Sequence, residues 1–507
     1  MNKTKGIGII LSYLLIVIDT AVGILFVPFL LRNLGASNYG LYKLMVSTAS
    51  YLSILDFGIG GTMTRYIVKY KTQKDGKGEE NFTAMGFIIY GILASIVILA
   101  AAVIIIIIPY IYKNSISAEN VSSARLIFAF ICTTTAINLF NHAYNGILHA
   151  YEKFIFNKLT NIFKIIIRVA LIVLMFRFIK NALIIALVDF ALSFSILLIN
   201  VFYVRVIMKK KIKLHKFEKT LAKEAFIFTF AILMQSIINQ FNSNLDNVAL
   251  GVFSTTAIVA MYSLVLQIYN MYENLSTSIS TVYLPSISES VFKGEDNRKI
   301  TKRIIEPSRI QFMVLFLALV GFIAFGRSFI FVWVGDGYEN VYILCLILLA
   351  SSTLELSQST ITSVLKAKNK LHGKTIILLC STAVNAAITF SLVPLIGPYG
   401  AVIGTATSLV LGYGVALNIY YQKCIGLDMK LYFKEVFGDM FGIIGLFVLF
   451  SIGIARYISF NSWWKFLTGS IVFSFIYILI MYFVGMNHNE RELIHKLVLK
   501  VRRSKKA

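Results

Sequence analysis

Charge is scarce in this chain of 507 residues: Asp, Glu, Lys and Arg together make up 14% of it, where a soluble domain carries about 25%. So little polar surface cannot cover a soluble exterior, and the solvent of the chain must be largely lipid. A soluble enzyme, a DNA-binding factor and a disordered chain are all excluded. Cysteine is rare as well. Cys132, Cys345, Cys380 and Cys424 lie singly, in or at the ends of apolar stretches. Without a CxxC pair neither a zinc site nor a disulfide framework is indicated. Long polar segments are absent too. The longest loops run to about 20 residues, too short to fold alone, so no extramembrane catalytic domain is expected. There is no nucleophile motif, no glycine-rich phosphate loop and no paired-carboxylate loop, hence no catalytic residue to assign. His142 and His149 are seven apart and lack the carboxylate and i, i+4 spacing that a metal would want, so packing or hydrogen bonding is expected there and no metal site.

What the chain has instead is apolar length. Hydrophobic residues make up 58% and mean hydropathy is +0.78. Unbroken apolar runs such as Ile88 to Ile108 do not alternate as the strands of an outer-membrane barrel do. A transmembrane helix needs about 20 mostly apolar residues, and fourteen segments qualify, from 8–31 and 40–68 at the start to 436–457 and 463–485 at the end. The first is too long for a signal-peptide core and reads as a retained signal-anchor. The fold class expected is all-α, a polytopic membrane protein of 14 transmembrane helices.

Acidic side chains number 24 against 48 basic ones, a net charge of +24. If the N-terminus is cytoplasmic, Lys and Arg of the short inside loops outnumber those outside by roughly four to one. Both termini are therefore expected in the cytoplasm, and the charge excess needs no nucleic acid. The organisation expected is spans one to six over 1–206, a basic cytoplasmic linker over 207–223, spans seven to twelve over 224–423, spans thirteen and fourteen over 424–486, and a basic cytoplasmic tail over 487–507. The tail could also touch anionic headgroups.

Ionisable groups at bilayer depth are costly and should face a cavity or a partner. Candidates are Asp19, Lys43, Asp56, Arg65, Lys164, Arg168, Asp189, Asp246, Glu273 and Glu355. In span seven, Gln235, Asn239, Asn242 and Asp246 are separated by four, three and four residues, which puts them on one helical face. In span eight, Ser263, Gln267, Asn270, Asn274, Thr277 and Thr281 repeat that spacing, with Glu273 at the edge. Continuous polar stripes suit the wall of a hydrophilic cavity; interhelical hydrogen bonding is the alternative. Lys164 and Arg168 form a cationic i, i+4 pair that repels unless a carboxylate or an anionic ligand intervenes, and Asp189 is one candidate partner.

Several stretches resemble a known family. Phe29 to Tyr42 (FLLRNLGASNYGLY) carries an R-x-L-G … Y-G-x-Y pattern, and Leu55 to Arg65 (LDFGIGGTMTR) a D-x-G … R pattern. Both resemble the Wzx-type polysaccharide and O-antigen flippases of the multidrug/oligosaccharidyl-lipid/polysaccharide exporter superfamily. Leu245-Asp246, Leu250-Gly251, Tyr262 and Pro285 resemble that family's seventh and eighth spans, and Ile396 to Gly404 its loop between spans eleven and twelve. The resemblance implies two pseudo-symmetric six-helix lobes plus two extra C-terminal helices in the cytoplasmic (inner) membrane. It implies a central cleft lined by spans one, two, seven and eight, working by alternating access. The substrate implied is an undecaprenyl-diphosphate-linked oligosaccharide for surface polysaccharides such as O-antigen or capsule. On this reading Lys43 and Arg65 meet the diphosphate, while Gln235, Asn239, Asn242, Gln267, Asn270 and Asn274 meet the sugars. Asp19, Asp246 and Glu273 are the coupling or gating carboxylates. No cofactor is expected; coupling to H+ or Na+ is open to such carboxylates. Partners are the lipid-linked oligosaccharide, membrane lipid and other polysaccharide-assembly proteins, without nucleic acid. The rivals are a cation-coupled multidrug exporter of the same superfamily and a membrane polymerase or glycosyltransferase.

Overall fold

The computed structural model describes residues 3–56, 58–216, 219–458, 460–488, 490–492 and 495; over 3–10, 12–13, 16, 219–232 and 235 it describes the backbone alone. The described residues form helices and no strands. Ten segments are long and apolar enough to cross a membrane, among the described residues. One of them, Val17–Thr72, runs two expected spans together. Three further helices have spanning length and carry the polar residues singled out above. They are α5 (Phe154–Met175), α7 (Lys219–Phe253) and α8 (Thr256–Phe292), of 22, 35 and 37 residues.

The contacts divide the chain into two compact units. One holds Met1–Ser263 with Phe390–Ala401, the other Leu264–Thr389 with Val402–Ala507.

The first unit opens with α1 (Lys3–Ser50), which is two helices joined across a kink at Gly35 (φ 75°, ψ 163°). That backbone region is open essentially to glycine alone. Five residues on, a Cβ at Gly40 would overlap the carbonyl oxygen of Thr256, so only glycine lets α1 and the start of α8 approach so closely. Tyr39 and Tyr42 of the same stretch are buried, 1% and 7% exposed. The first family-like pattern is thus a kink, a close helix crossing and two buried tyrosines.

The second expected span, 40–68, is not one helix. It breaks into a 3-10 turn, Tyr51–Asp56, before α2 (Ile59–Thr72) begins behind left-handed Gly58. Helices α2, α3 (Gly76–Ile111) and α4 (Val121–Ala150) then enclose a core that includes Met63, Ile67, Phe82, Tyr90, Val97, Ala143 and Leu148. Helix α6 (Ala182–Phe202) packs on α4 and α5.

The basic linker that follows α6 is anchored. Asn81 accepts from the backbone amides of His215 (2.8 Å) and Lys216 (2.9 Å) and donates to the Lys216 carbonyl (2.7 Å). Glu80 meets His215 at 3.1 Å and Glu79 meets Lys210 at 3.2 Å. Burial works against the Lys210 ammonium, yet the Tyr151 hydroxyl and the Glu79 carboxylate leave its pKa raised.

In the second unit α9 (Asn297–Val334) is the hub. Packed on it are α10 (Glu339–Ser357), α15 (Met429–Val436), α16 (Phe441–Tyr457) and α17 (Trp463–Ile480). The expected tenth span, 341–365, is interrupted after α10 and resumes as α11 (Ile361–Ala367) before α12 (Leu371–Ile396). After α12 come α13 (Pro398–Ser408) and α14 (Leu417–Tyr420), the latter flanked by π-helical turns. Arg309 of α9, 2% exposed, binds Glu490 (2.6 Å), the Gly485 carbonyl (2.9 Å) and the Glu435 carbonyl. A buried guanidinium therefore ties the end of the last span to the hub.

Candidate functional site

The first unit carries ionic groups inside its spans. On α5, Phe163, Ile166 and Ile167 are exposed apolar residues, while Lys164 and Arg168 lie one and two residues away around the helix. Arg168 grips Asp189 of α6 with two bonds, Nε to Oδ1 at 2.5 Å and Nη2 to Oδ2 at 2.9 Å. The Tyr42 hydroxyl donates to the same carboxylate at 3.2 Å. Asp189 is thus the intervening carboxylate for Arg168. Lys164 bonds instead to the Ser193 hydroxyl at 3.3 Å. Lys43 stands 5.5 Å from the centroid of the Tyr39 ring. Both lysines lie within electrostatic range of Arg168.

Asp56 accepts from Tyr90 (3.1 Å) and meets His142 (3.0 Å), while His149 bonds to Asn157 (3.2 Å). Both histidines are hydrogen-bonded, and His142 has in Asp56 a carboxylate that its neighbours in the sequence do not supply. Arg65 is exposed on α2 and Asp19 is exposed on α1, so neither shares the setting of Lys43.

On α7 the expected stripe is split by environment. Asn239 is exposed and Asn242 half-buried, whereas Asp246 is 2% exposed and accepts a hydrogen bond from Tyr262. The side chain of Gln235 lies outside the described residues. A second polar face on the same helix does the packing. Gln240 donates to Ser53 (2.9 Å), Asn244 to Gln240 (3.0 Å) and Asn247 to Ser47 (3.1 Å). Its spacing of four and three was visible in the sequence, but a helix with two polar faces hides which one is packed.

In the second unit, Asn270, Asn274, Thr277 and Thr281 of α8 are exposed; Gln267 and Glu273 are half-buried. The opposite side makes the interhelical bonds, Tyr272 to Thr353 (2.7 Å) and Ser276 to the Leu356 carbonyl (2.6 Å). The stripe residues Asn270 and Asn274 are therefore not the glue of this helix. Nearby, Glu355 of α10 feels the charges of Lys374 and Glu273. One of its oxygens is buried without a hydrogen bond, and Lys374 donates to Thr362 at 2.8 Å.

These helices define a class: a multi-pass membrane protein whose bundle interior carries fixed charges and polar faces. Its fold is similar to that of a solved lipid II flippase MurJ in an inward closed conformation, with a TM-score of 0.70 at 17% identity, covering 96% of this chain and all of that one. It is also similar to an inward-facing multidrug resistance MATE transporter of the MOP superfamily, with a TM-score of 0.64 at 12% identity over 77% of this chain and 93% of that one. Residues 5–291 match the family described as polysaccharide biosynthesis protein, and the chain belongs to that family. Among curated relatives it is 21% identical to a probable flippase, AglR, of Haloferax volcanii, over 79% of this chain and 80% of that one. It is 22% identical to a putative O-antigen transporter of Shigella flexneri, over 80% of this chain and 95% of that one. The chain is thus a multi-pass membrane protein of the polysaccharide biosynthesis protein family, with the fold of those solved transporters.

Proposed function

We propose that this membrane protein is a transporter that moves a lipid-linked oligosaccharide, carried on undecaprenyl diphosphate, from the inner to the outer leaflet of the cytoplasmic membrane. It works by alternating access, with both termini in the cytoplasm and without ATP hydrolysis. The observation that carries this reading is the family match over 5–291, which spans the helices bearing Lys43, Asp246 and the α7 and α8 polar faces. A headgroup of phosphates and sugars cannot cross about 30 Å of hydrocarbon unaided. Amides at Gln235, Asn239, Asn242, Gln267, Asn270 and Asn274 replace water at the sugar hydroxyls, and Lys43 and Arg65 supply positive charge along the path. Asp19, Asp246 and Glu273 respond to H+ or Na+. A carboxylate bonded in only one arrangement biases the equilibrium between states, and in this arrangement Asp246 accepts from Tyr262. The test is deletion and complementation in the source organism. Loss of the chain should stop surface-glycan export and leave lipid-linked repeat units on the cytoplasmic face; normal export without it would sink the reading.

A further inference from the structure

Where α9 hands over to α10, two helix faces of like spacing line one cleft. Arg327, Ile330 and Phe331 lie at i, i+3 and i+4 near the end of α9, and Glu339, Tyr342 and Ile343 repeat that spacing at the start of α10. The short turn between the helices, 335–338, folds the second face back on the first. The cleft has a volume of about 220 Å³, smaller than the roughly 300–1,000 Å³ that a drug-sized ligand occupies. Tyr342 is its fixed part. The ring is buried, its hydroxyl donates to the Ile323 carbonyl at 2.9 Å, and it stacks on Phe322. A Cβ at Gly326 would come within 3.0 Å of the ring, so glycine there lets the tyrosine seat against α9. The Arg327 guanidinium lies over the same ring, 5.0 Å from its centroid. A guanidinium stacked on a ring keeps its N–H edge for an acceptor. Glu339 is held from the backbone, by the Gly337 amide at 3.2 Å. Among the described residues neither charge is ion-paired, with the other or with a third side chain.

The three tryptophans of the chain fix the level of this cleft. Trp333 stacks on Phe329 with ring centroids 5.3 Å apart, Trp463 meets the same ring at 6.4 Å, and Trp464 follows it, exposed. Tryptophan gathers where hydrocarbon meets headgroups. Arg327 is two residues from Phe329, about 3 Å along the helix. Phe331 and Ile343 add exposed apolar surface to the lining. A cation, an anion and an apolar rim thus stand together at the depth of a phospholipid headgroup.

We propose that the cleft between α9 and α10 binds one phospholipid with a zwitterionic, primary-amine headgroup, phosphatidylethanolamine. The Arg327 guanidinium takes the phosphate, the Glu339 carboxylate takes the ammonium, and Phe331 and Ile343 border the acyl chains. A phosphate is the acceptor that the guanidinium fork suits. A primary ammonium brings three N–H donors to a carboxylate. A choline brings none, and a glycerol headgroup brings no positive charge, so a purely anionic lipid would meet Glu339 unfavourably. The inference stands independently of the transport reading, because it concerns a lipid that the protein holds and not one that it moves.

Because all three tryptophans lie at this end of the unit, their emission reports on the site. The purified full chain is reconstituted in dioleoyl phosphatidylcholine vesicles. Quenching by dibrominated phosphatidylethanolamine, phosphatidylcholine or phosphatidylglycerol is then read against mole fraction. For wild type the ethanolamine lipid should reach half of its quenching at a mole fraction about tenfold lower than the other two. Arg327→Gln and Glu339→Gln should each abolish that preference. Lys465→Gln removes a cation at the same level that does not line the cleft, and should keep it. All three side chains are exposed, so the variants should unfold at the wild-type temperature; should Arg327→Gln fail to fold, Glu339→Gln decides alone. Equal quenching by the three lipids in wild type, or a preference that survives Glu339→Gln, would overturn the site. Equal quenching by the ethanolamine and choline lipids would remove the ammonium contact, and stronger quenching by phosphatidylglycerol would leave Glu339 without a role; either result overturns the proposal. Loss of the preference in Lys465→Gln would do the same, by reducing it to general surface charge.

Discussion

Single residues in this protein matter through the charge they leave behind. Arg309 and Glu490 are almost wholly buried, and Glu490 carries the only carboxylate that meets the guanidinium at hydrogen-bond distance among the described residues. Removing one partner of such a pair costs about 3–5 kcal/mol when the other charge is left buried and unpaired; here the more exposed Asp439, 3.6 Å from the guanidinium, offsets part of that cost. Glu490→Gln should therefore lower the unfolding temperature in detergent markedly, and Arg309→Gln combined with it should recover part of the loss. Asp246 differs in that its partner is neutral Tyr262. Asp246→Asn keeps the shape and removes the charge. It is expected to cut surface-glycan export by about tenfold or more at unchanged protein level, as for a functional intramembrane carboxylate. Wild-type export in that variant would remove Asp246 from the coupling assignment.

At the scale of elements, α8 presents one packed side and one unpacked polar side, and labelling can tell water from lipid at the second. In a background lacking Cys132, Cys345, Cys380 and Cys424, cysteines at Asn270 and Asn274 should react with a water-soluble thiol reagent. A cysteine at Leu275, also exposed but apolar, should react far less. Equal reaction at all three would mean that the stripe faces no aqueous path. The α1 crossing is tested by Gly40→Val. Its side chain would meet the Thr256 carbonyl, so the helix must shift. A destabilisation of about 1–3 kcal/mol or more is expected, read as lost folded protein on heating.

For the whole molecule, the distribution of Lys and Arg predicts the orientation. Reporter fusions at Lys211, in the anchored linker, should read cytoplasmic, and fusions at Lys113, beyond α3, external. An external Lys211 would overturn the span assignment. The same charge pattern needs an even number of crossings, so this result bears on the expectation of fourteen spans, for which apolarity alone supplies ten segments among the described residues.

The membrane class, the all-helical fold and the family were legible in the chain because they rest on local quantities. Twenty apolar residues define a span whatever surrounds them, and Gly35 and Gly40 within FLLRNLGASNYGLY mark backbone demands that only glycine meets. Stripe periodicity also placed Asn270 and Asn274 on one side of α8. Other features depended on which helices meet, and no spacing rule carries that. Asp189 could be named as one candidate for Arg168, but only the packing of α5 on α6 closed the two-bond pair and set Lys164 on the Ser193 hydroxyl. Helix α7 has two polar faces of equal period, and contact with Ser47 and Ser53 decided that Gln240 and Asn247 face protein. Spans two and ten broke at 51–56 and 358–360 although hydropathy runs through both. Hydropathy measures how well a segment dissolves in lipid, whereas a helix ends where its backbone hydrogen bonds find other partners, and those partners come from the tertiary fold.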